Sequence, residues 1–252
     1  MKRLFIMIIT GAFLASCGGS GNKESKLATK ELSGENIVSS RKTVAETDKV
    51  LASEDFSTPL DSSKWKVEMD DLPNSSVAVE GGKLVLDTKG GVTVWLNQKL
   101  KGNIEITYKR QVVMADGTND RLSDLNQFWM ATDPENENLF TRGGKFAEYD
   151  SLSMYYVGFG GNYNGTTRFR EYQGDGEKTL LFDLDDEDHL LKPNHWYTIK
   201  IKVEDGLVSY WVDGEKFFEY QDETPLTEGY FGFRSTWSRH EIDDLKIVRL
   251  EN

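Results

Sequence analysis

A single cysteine, Cys17, occurs in the 252 residues. That count excludes an intramolecular disulfide and a multi-cysteine zinc site. Basic residues are also short, with 30 Lys and Arg against 42 Asp and Glu, a formal net charge of −12. A surface of that sign repels phosphate backbones, so nucleic acid is not an expected partner. A local group of arginines could still receive an anion. Long apolar runs are missing too. Residues 4–13, interrupted by Thr10 and Gly11, fall short of the roughly 20 residues a spanning helix needs. Beyond them no stretch keeps an amphipathic helical period over a window of about 11 residues. Gly158-Phe159-Gly160-Gly161 has no helical pattern after it and is not a nucleotide loop. The acidic run 183–188 lacks EF-hand spacing and reads as a solvated loop. No cofactor and no metal is expected.

What is present begins at the N-terminus. Lys2 and Arg3 precede the short apolar run, and Leu14-Ala15-Ser16-Cys17 follows it, the layout of a signal peptide. Small residues before a cysteine resemble the lipobox of bacterial lipoproteins. That resemblance implies a signal peptide over residues 1–16 and acylation of Cys17. Two or three acyl chains hold far more firmly than one. Gly18 in place of Asp after the cysteine implies an outer-membrane lipoprotein. Residues 17–52 are expected to be a tether, rich in Gly, Ser, Lys, Glu and Thr and without an aromatic residue to bury. Residues 53–252 are expected to be one domain.

That domain reads as all-β. Ile104, Ile106 and Tyr108 alternate with Glu105, Thr107 and Lys109; Tyr197, Ile199, Ile201 and Val203 alternate with Thr198, Lys200 and Lys202. Val92, Val94 and Leu96 repeat the pattern, as do Val208, Tyr210 and Val212. Asp205-Gly206 and Asp213-Gly214 are hairpin turns of the kind that takes positive φ. Many short strands with such turns indicate an antiparallel sandwich or barrel.

Asp55-Phe56 with Trp65, Gly82-Lys83-Leu84-Val85-Leu86, His195-Trp196-Tyr197 and Gly229-Tyr230-Phe231-Gly232-Phe233-Arg234-Ser235 resemble the concanavalin-like jelly-roll superfamily of lectins, glycosidases and lyases. Asp124-Leu125-Asn126-Gln127-Phe128-Trp129, Tyr155-Tyr156-Val157-Gly158-Phe159 and Thr166-Thr167-Arg168-Phe169-Arg170 carry a narrower resemblance. They are similar to Bacteroidetes lipoproteins of polysaccharide-utilisation loci, whose jelly-roll relatives include polysaccharide lyases and an ulvan oligosaccharide dehydratase. The resemblance implies a concanavalin-like jelly-roll β-sandwich and a carbon–oxygen lyase. Its substrate would be an anionic, uronate-containing oligosaccharide or polysaccharide such as a fragment of ulvan or rhamnogalacturonan. The alternatives are a non-catalytic glycan-binding lipoprotein and a glycoside hydrolase. Glu148-Tyr149-Asp150 resembles the start of the laminarinase-like Glu-x-Asp-x-x-Glu motif, but Ser153 stands at its second Glu.

β-Elimination from a uronate needs a base for the C5 proton, a cation or amide for the carboxylate, and an acid for the C4 oxygen. Arg168 and Arg170 share a strand face with Tyr172, and guanidinium matches a carboxylate or sulfate bidentately. The bland alternative is pairing with local carboxylates, Asp175 among them. His240, in Ser235-Thr236-Trp237-Ser238-Arg239-His240, is the acid/base candidate because histidine titrates near neutrality; it could equally be a hydrogen-bonded strand-end residue. Tyr163 is a second proton carrier, or else a sugar-contacting or merely exposed ring. His189 reads as a loop residue and His195 as structural. Asn126, Trp129, Asn162, Arg234 and Trp237 complete the expected substrate contacts, the two tryptophans as stacking platforms, while Trp65 and Trp196 are expected in the core.

Overall fold

The computed structural model describes residues 49–251. The expected signal peptide (1–16), Cys17 and the tether up to residue 48 lie outside the described residues. Residues 49–52, expected in the tether, instead belong to the first strand, β1 (Lys49–Glu54), which pairs with residues 245–249. The folded domain therefore begins at or before Lys49, ahead of the expected boundary at 53.

Thirteen further strands follow. They are β2 (Trp65–Met69), β3 (Ser76–Glu80), β4 (Lys83–Leu96), β5 (Leu100–Lys101), β6 (Ile104–Val112) and β7 (Leu125–Thr132). Next come β8 (Ser153–Gly160), β9 (Thr166–Gln173), β10 (Lys178–Leu184) and β11 (Tyr197–Glu204). The last are β12 (Leu207–Val212), β13 (Glu215–Gln221) and β14 (Glu228–Arg249). All pairings are antiparallel, and the architecture is a jelly-roll sandwich. Asp205 and Gly206 take φ of 50° and 81°, and Asp213 and Gly214 take 50° and 85°, the expected hairpin geometry.

Two long strands join the layers. β4 is one unbroken strand through Gly90-Gly91, and its halves serve two sheets. The first half of β14 lies between β7 and the second half of β4, making a front sheet with β8, β9, β10 and β2. Its second half lies against β6 and the first half of β4, making a back sheet with β11, β12, β13 and β3. The switch falls at Thr236-Trp237-Ser238, where the register shifts and Trp237 takes φ 44°.

The inward positions of both sheets form the main core. Val92, Val94, Trp129, Val157, Phe169 and Phe233 come from the front, and Ile106, Tyr108, Ile199, Ile201, Tyr210 and Ile242 from the back. Tyr108 meets Phe233 edge-on at 4.9 Å across the sandwich, a geometry that aromatic quadrupoles favour. Trp65 joins this core as expected, whereas Trp196 is only half-buried.

A second apolar cluster sits on the outside of the front sheet. A strap, residues 133–152 between β7 and β8, lies across that face and covers Trp95, Phe128, Met154 and Tyr172 with its own Leu139, Tyr149 and Leu152. Buried Glu68 fastens it, accepting from Trp95 Nε1 (2.8 Å), Tyr149 Oη (2.9 Å) and the Arg142 amide (2.7 Å). Arg142 in turn reaches Asp133 (2.8 Å) and the Glu148 carbonyl (2.6 Å). Gly91 and Gly144 let the two backbones cross, since a Cβ on Gly91 would lie 2.0 Å from the Gly144 carbonyl oxygen.

Candidate functional site

The strap leaves one end of the front sheet's outer face uncovered, and a cleft of about 270 Å³ opens there. Register aligns its floor. Asn126 lies opposite Arg234 on one side and Gly158 on the other, with Arg168 beyond; one step along, Phe128, Tyr156 and Arg170 lie in a row. Alternation sends Arg168 and Arg170 outward while Phe169 enters the core, as their spacing predicts. Gly158 is required: a Cβ there would lie 2.3 Å from Tyr156 Oη and 2.9 Å from Asp124 Oδ2. Its absence lets phenol and carboxylate converge over the sheet.

Four arginines line the cleft, Arg121, Arg168, Arg170 and Arg234, with Asp124 as the one acidic residue in its wall. Among the described residues only Arg168 of these four has a carboxylate ion pair, with Asp183 at 3.0 Å rather than with Asp175. Arg234 is 5% exposed, and its Nη1 donates to Asn126 Oδ1 at 3.4 Å. Its guanidinium lies 4.6 Å from the centroid of Phe146 on the strap. The Nε atoms of Arg234 and Arg170 are buried without a partner. An unmet buried donor on a cation costs more than an ordinary lost hydrogen bond, so both favour an incoming anion. Asn126 Nδ2 donates to Asp124 Oδ2 and to Tyr156 Oη (3.0 Å). Burial, with Asp124 beside it, drives the Tyr156 phenol well above its usual pKa, against a smaller opposing pull from Arg234 and Arg170. Burial also lowers the Arg234 guanidinium, with Asp124 opposing.

The rim is built differently. Asn162, Tyr163 and Asn164 take left-handed φ of 53°, 59° and 59° in succession, a conformation that asparagine tolerates and that costs about 1–2 kcal/mol at Tyr163. Asn164 holds the turn by exchanging hydrogen bonds with the Leu191 backbone (3.0 and 2.8 Å). The result lifts Tyr163 to 68% exposure at the cleft mouth. Arg121, tied to the carbonyls of Trp237 (2.7 Å) and Thr236 (2.6 Å), lies 4.9 Å from the ring centroids of both Tyr163 and Trp237.

Six of the nine expected site residues therefore meet: Asn126, Asn162, Tyr163, Arg168, Arg170 and Arg234 all line the cleft. The other three do not. His240 is fully buried, faces Arg110 Nη2 at 3.2 Å, and is held well below its usual pKa by burial and then by the Arg110 charge. It cannot reach a ligand in the cleft. Trp129 is fully buried in the main core against Tyr155 and Phe169, so it is no stacking platform. Trp237 lies outside the cleft wall, with Lys89 Nζ 4.0 Å above its ring as well as Arg121, and serves as a prop for that arginine. Glu148 and Asp150 lie on the strap, where they bind the Gly143 amide (2.7 Å) and Lys178 (2.7 Å), outside the cleft. Arg121, Asp124, Phe146 and Tyr156 are the unforeseen members. The period-two spacing of Asp124 and Asn126, and of Tyr156 and Gly158, is the signal that could have found two of them.

A two-layer jelly roll whose cleft lies on one outer face places the molecule among galectin-like sandwiches. Residues 86–245 match a family described as a domain of unknown function, DUF6250, and the chain belongs to that family. No curated protein matches the sequence. Among solved structures, a Bacillus subtilis protein of unknown function with a galectin-like fold is 18% identical, with a TM-score of 0.65 over 80% of this chain and 98% of that one. A carbohydrate-binding module, CBM66, from Bacillus subtilis is 10% identical, TM-score 0.52, over 74% and 96%. The β-glucanase of Bacillus licheniformis is 10% identical, TM-score 0.55, over 82% and 100%. At these identities the likeness is one of fold.

Proposed function

We propose that the cleft binds uronate-containing oligosaccharides and breaks a carbon–oxygen bond in them by β-elimination. One observation carries the reading: four arginines gather around a single acidic residue, and two of them keep buried, unpartnered Nε atoms. Folds shared with a carbohydrate-binding module and a β-glucanase support a saccharide as the ligand. Arg170, Arg234 and Asn126 receive the sugar carboxylate and stabilise the enolate-like charge that develops on it. The Asp124 carboxylate takes the C5 proton as the C4–C5 double bond forms. The C4–oxygen bond breaks, and the neutral Tyr156 phenol supplies the proton to the departing oxygen. With His240 buried, no histidine takes part. The domain acts at the cell envelope, held in the outer membrane through acylated Cys17.

Capture without cleavage is the second reading, favoured because no histidine lines the cleft among the described residues. Ultraviolet absorbance during incubation with ulvan and rhamnogalacturonan fragments separates the two. Elimination creates an unsaturated, absorbing uronate, whereas binding and hydrolysis do not. Retention with no chromophore would leave a binding protein, and neither signal would end the acidic-glycan reading. Cys17→Ser is expected to abolish incorporation of a labelled fatty acid.

A further inference from the structure

We infer that the ligand carries two anionic groups, one received on the arginine floor and the other, on the adjoining unit, at Arg121 on the rim. The inference rests on the acidic-glycan reading and adds a second charge to it.

The cations of the cleft stand in two places. Arg170 and Arg234 keep their unpartnered Nε atoms buried at the floor. Arg121 is held at the mouth by the corner of β14, where its Nε donates to the Trp237 carbonyl and its Nη2 to that of Thr236. The Phe128–Tyr156–Arg170 row meets β14 at Gly232. Thr236 comes four residues later, about 14 Å further along the strand. The two oxygens of one carboxylate do not span the floor and that corner, whereas substituents on adjoining sugar units can.

The rim cation is as short of a partner as the floor. Among the described residues Arg121 makes no ion pair, and its bonds to the two carbonyls leave Nη1 free. Lys89, 4.0 Å from the centroid of the Trp237 ring, makes no ion pair either. Unpaired cations side by side repel one another unless an anion joins them.

Arg121 is also held rigidly. Its guanidinium lies 4.9 Å from the centroids of both Tyr163 and Trp237. Both residues take left-handed backbone, with φ of 59° and 44°, an outlying conformation for a bulky side chain. Such strain persists where the surroundings enforce it and clusters at ligand clamps. A guanidinium already fixed by two rings and two carbonyls costs little further ordering when an anion arrives.

Calorimetry with two matched pairs of disaccharides tests this. One pair is digalacturonate and the same compound methyl-esterified at one carboxyl; the other is a sulfated ulvan disaccharide and its desulfated form. In at least one pair the doubly charged member is expected to bind about tenfold more tightly, the worth of one hydrogen bond to a charged group. The pair that shows the gain identifies the second anion as carboxylate or sulfate. Equal affinity within both pairs would overturn the second charge while leaving an acidic-glycan protein, whereas no binding of any member would overturn that reading itself. In Arg121→Gln the gain is expected to fall below threefold, with affinity for the singly charged members within twofold of wild type. Arg121→Lys, which keeps the charge, should recover part of the gain. A loss in Arg121→Gln that is the same for singly and doubly charged members would make Arg121 a cap on the strand corner and overturn its assignment.

Discussion

Arg110 and Arg234 are both buried and both keep nitrogens that meet no partner, yet they answer to different surroundings. Arg110 points between the sheets, 5.6 Å from the Phe159 ring centroid and 3.2 Å from His240. Arg234 points out of the front sheet into the cleft. Burial lowers the pKa of each, and arginine stays protonated in both. Desolvation of a cation does not by itself mark a site. The way in does, and only Arg234 has one.

The largest expected effect tests that contrast directly. Arg234→Met should weaken binding of acidic oligosaccharides about a hundredfold, the loss expected from one or two hydrogen bonds to a charged group. Arg110→Met should leave affinity within threefold, read by calorimetry on protein that still unfolds cooperatively. A folded Arg110→Met protein without affinity would break the comparison. Next comes Trp129→Ala, which should cost about 3–5 kcal/mol of stability in urea titration, as for other large aromatic truncations in a core. A smaller loss coupled to a large fall in affinity would return Trp129 to the sugar site. Tyr149→Phe removes one donor to the buried Glu68 and should cost about 1–2 kcal/mol, with faster amide exchange confined to residues 133–152. The smallest effects are titrations. Burial, with Asp222 nearby, raises the Glu171 pKa, so its stabilising contribution is complete below the ordinary carboxylate range and is lost as pH rises through the raised value. Glu171→Gln should flatten that slope. His240 has the opposite sign: its depressed pKa gives stability above about pH 6.5 that is lost on acidification. His240→Gln should reduce that acid sensitivity, measured as the urea midpoint between neutral and mildly acidic buffers.

The strands that were legible in the sequence are those with one face in the core and one in water. β6 and β11 alternate cleanly because their outer sides stay open to solvent. The two outward arginines of β9 were legible for the same reason. β7 misled because its outer side is buried as well, Phe128 under the strap and Asn126 on the cleft floor, so polar neighbours along the chain said nothing about which way Trp129 points. His240 misled through the corner at Thr236-Trp237-Ser238. Arg234 lies before it on the front sheet, facing out, and His240 after it on the back sheet, facing in. Proximity in sequence was mistaken for proximity in space. Asp124 and Tyr156 lie 32 positions apart, and only strand pairing brings them together.

β14 has a consequence for when this molecule can fold. It pairs with β1, β4, β5, β6 and β7 and runs down the middle of both layers, yet it is the last of the described strands to be synthesised. Contacts so distant along the chain make folding slow, because loops must close before any gain follows. Until Arg249 has left the ribosome, neither sheet has its central strand.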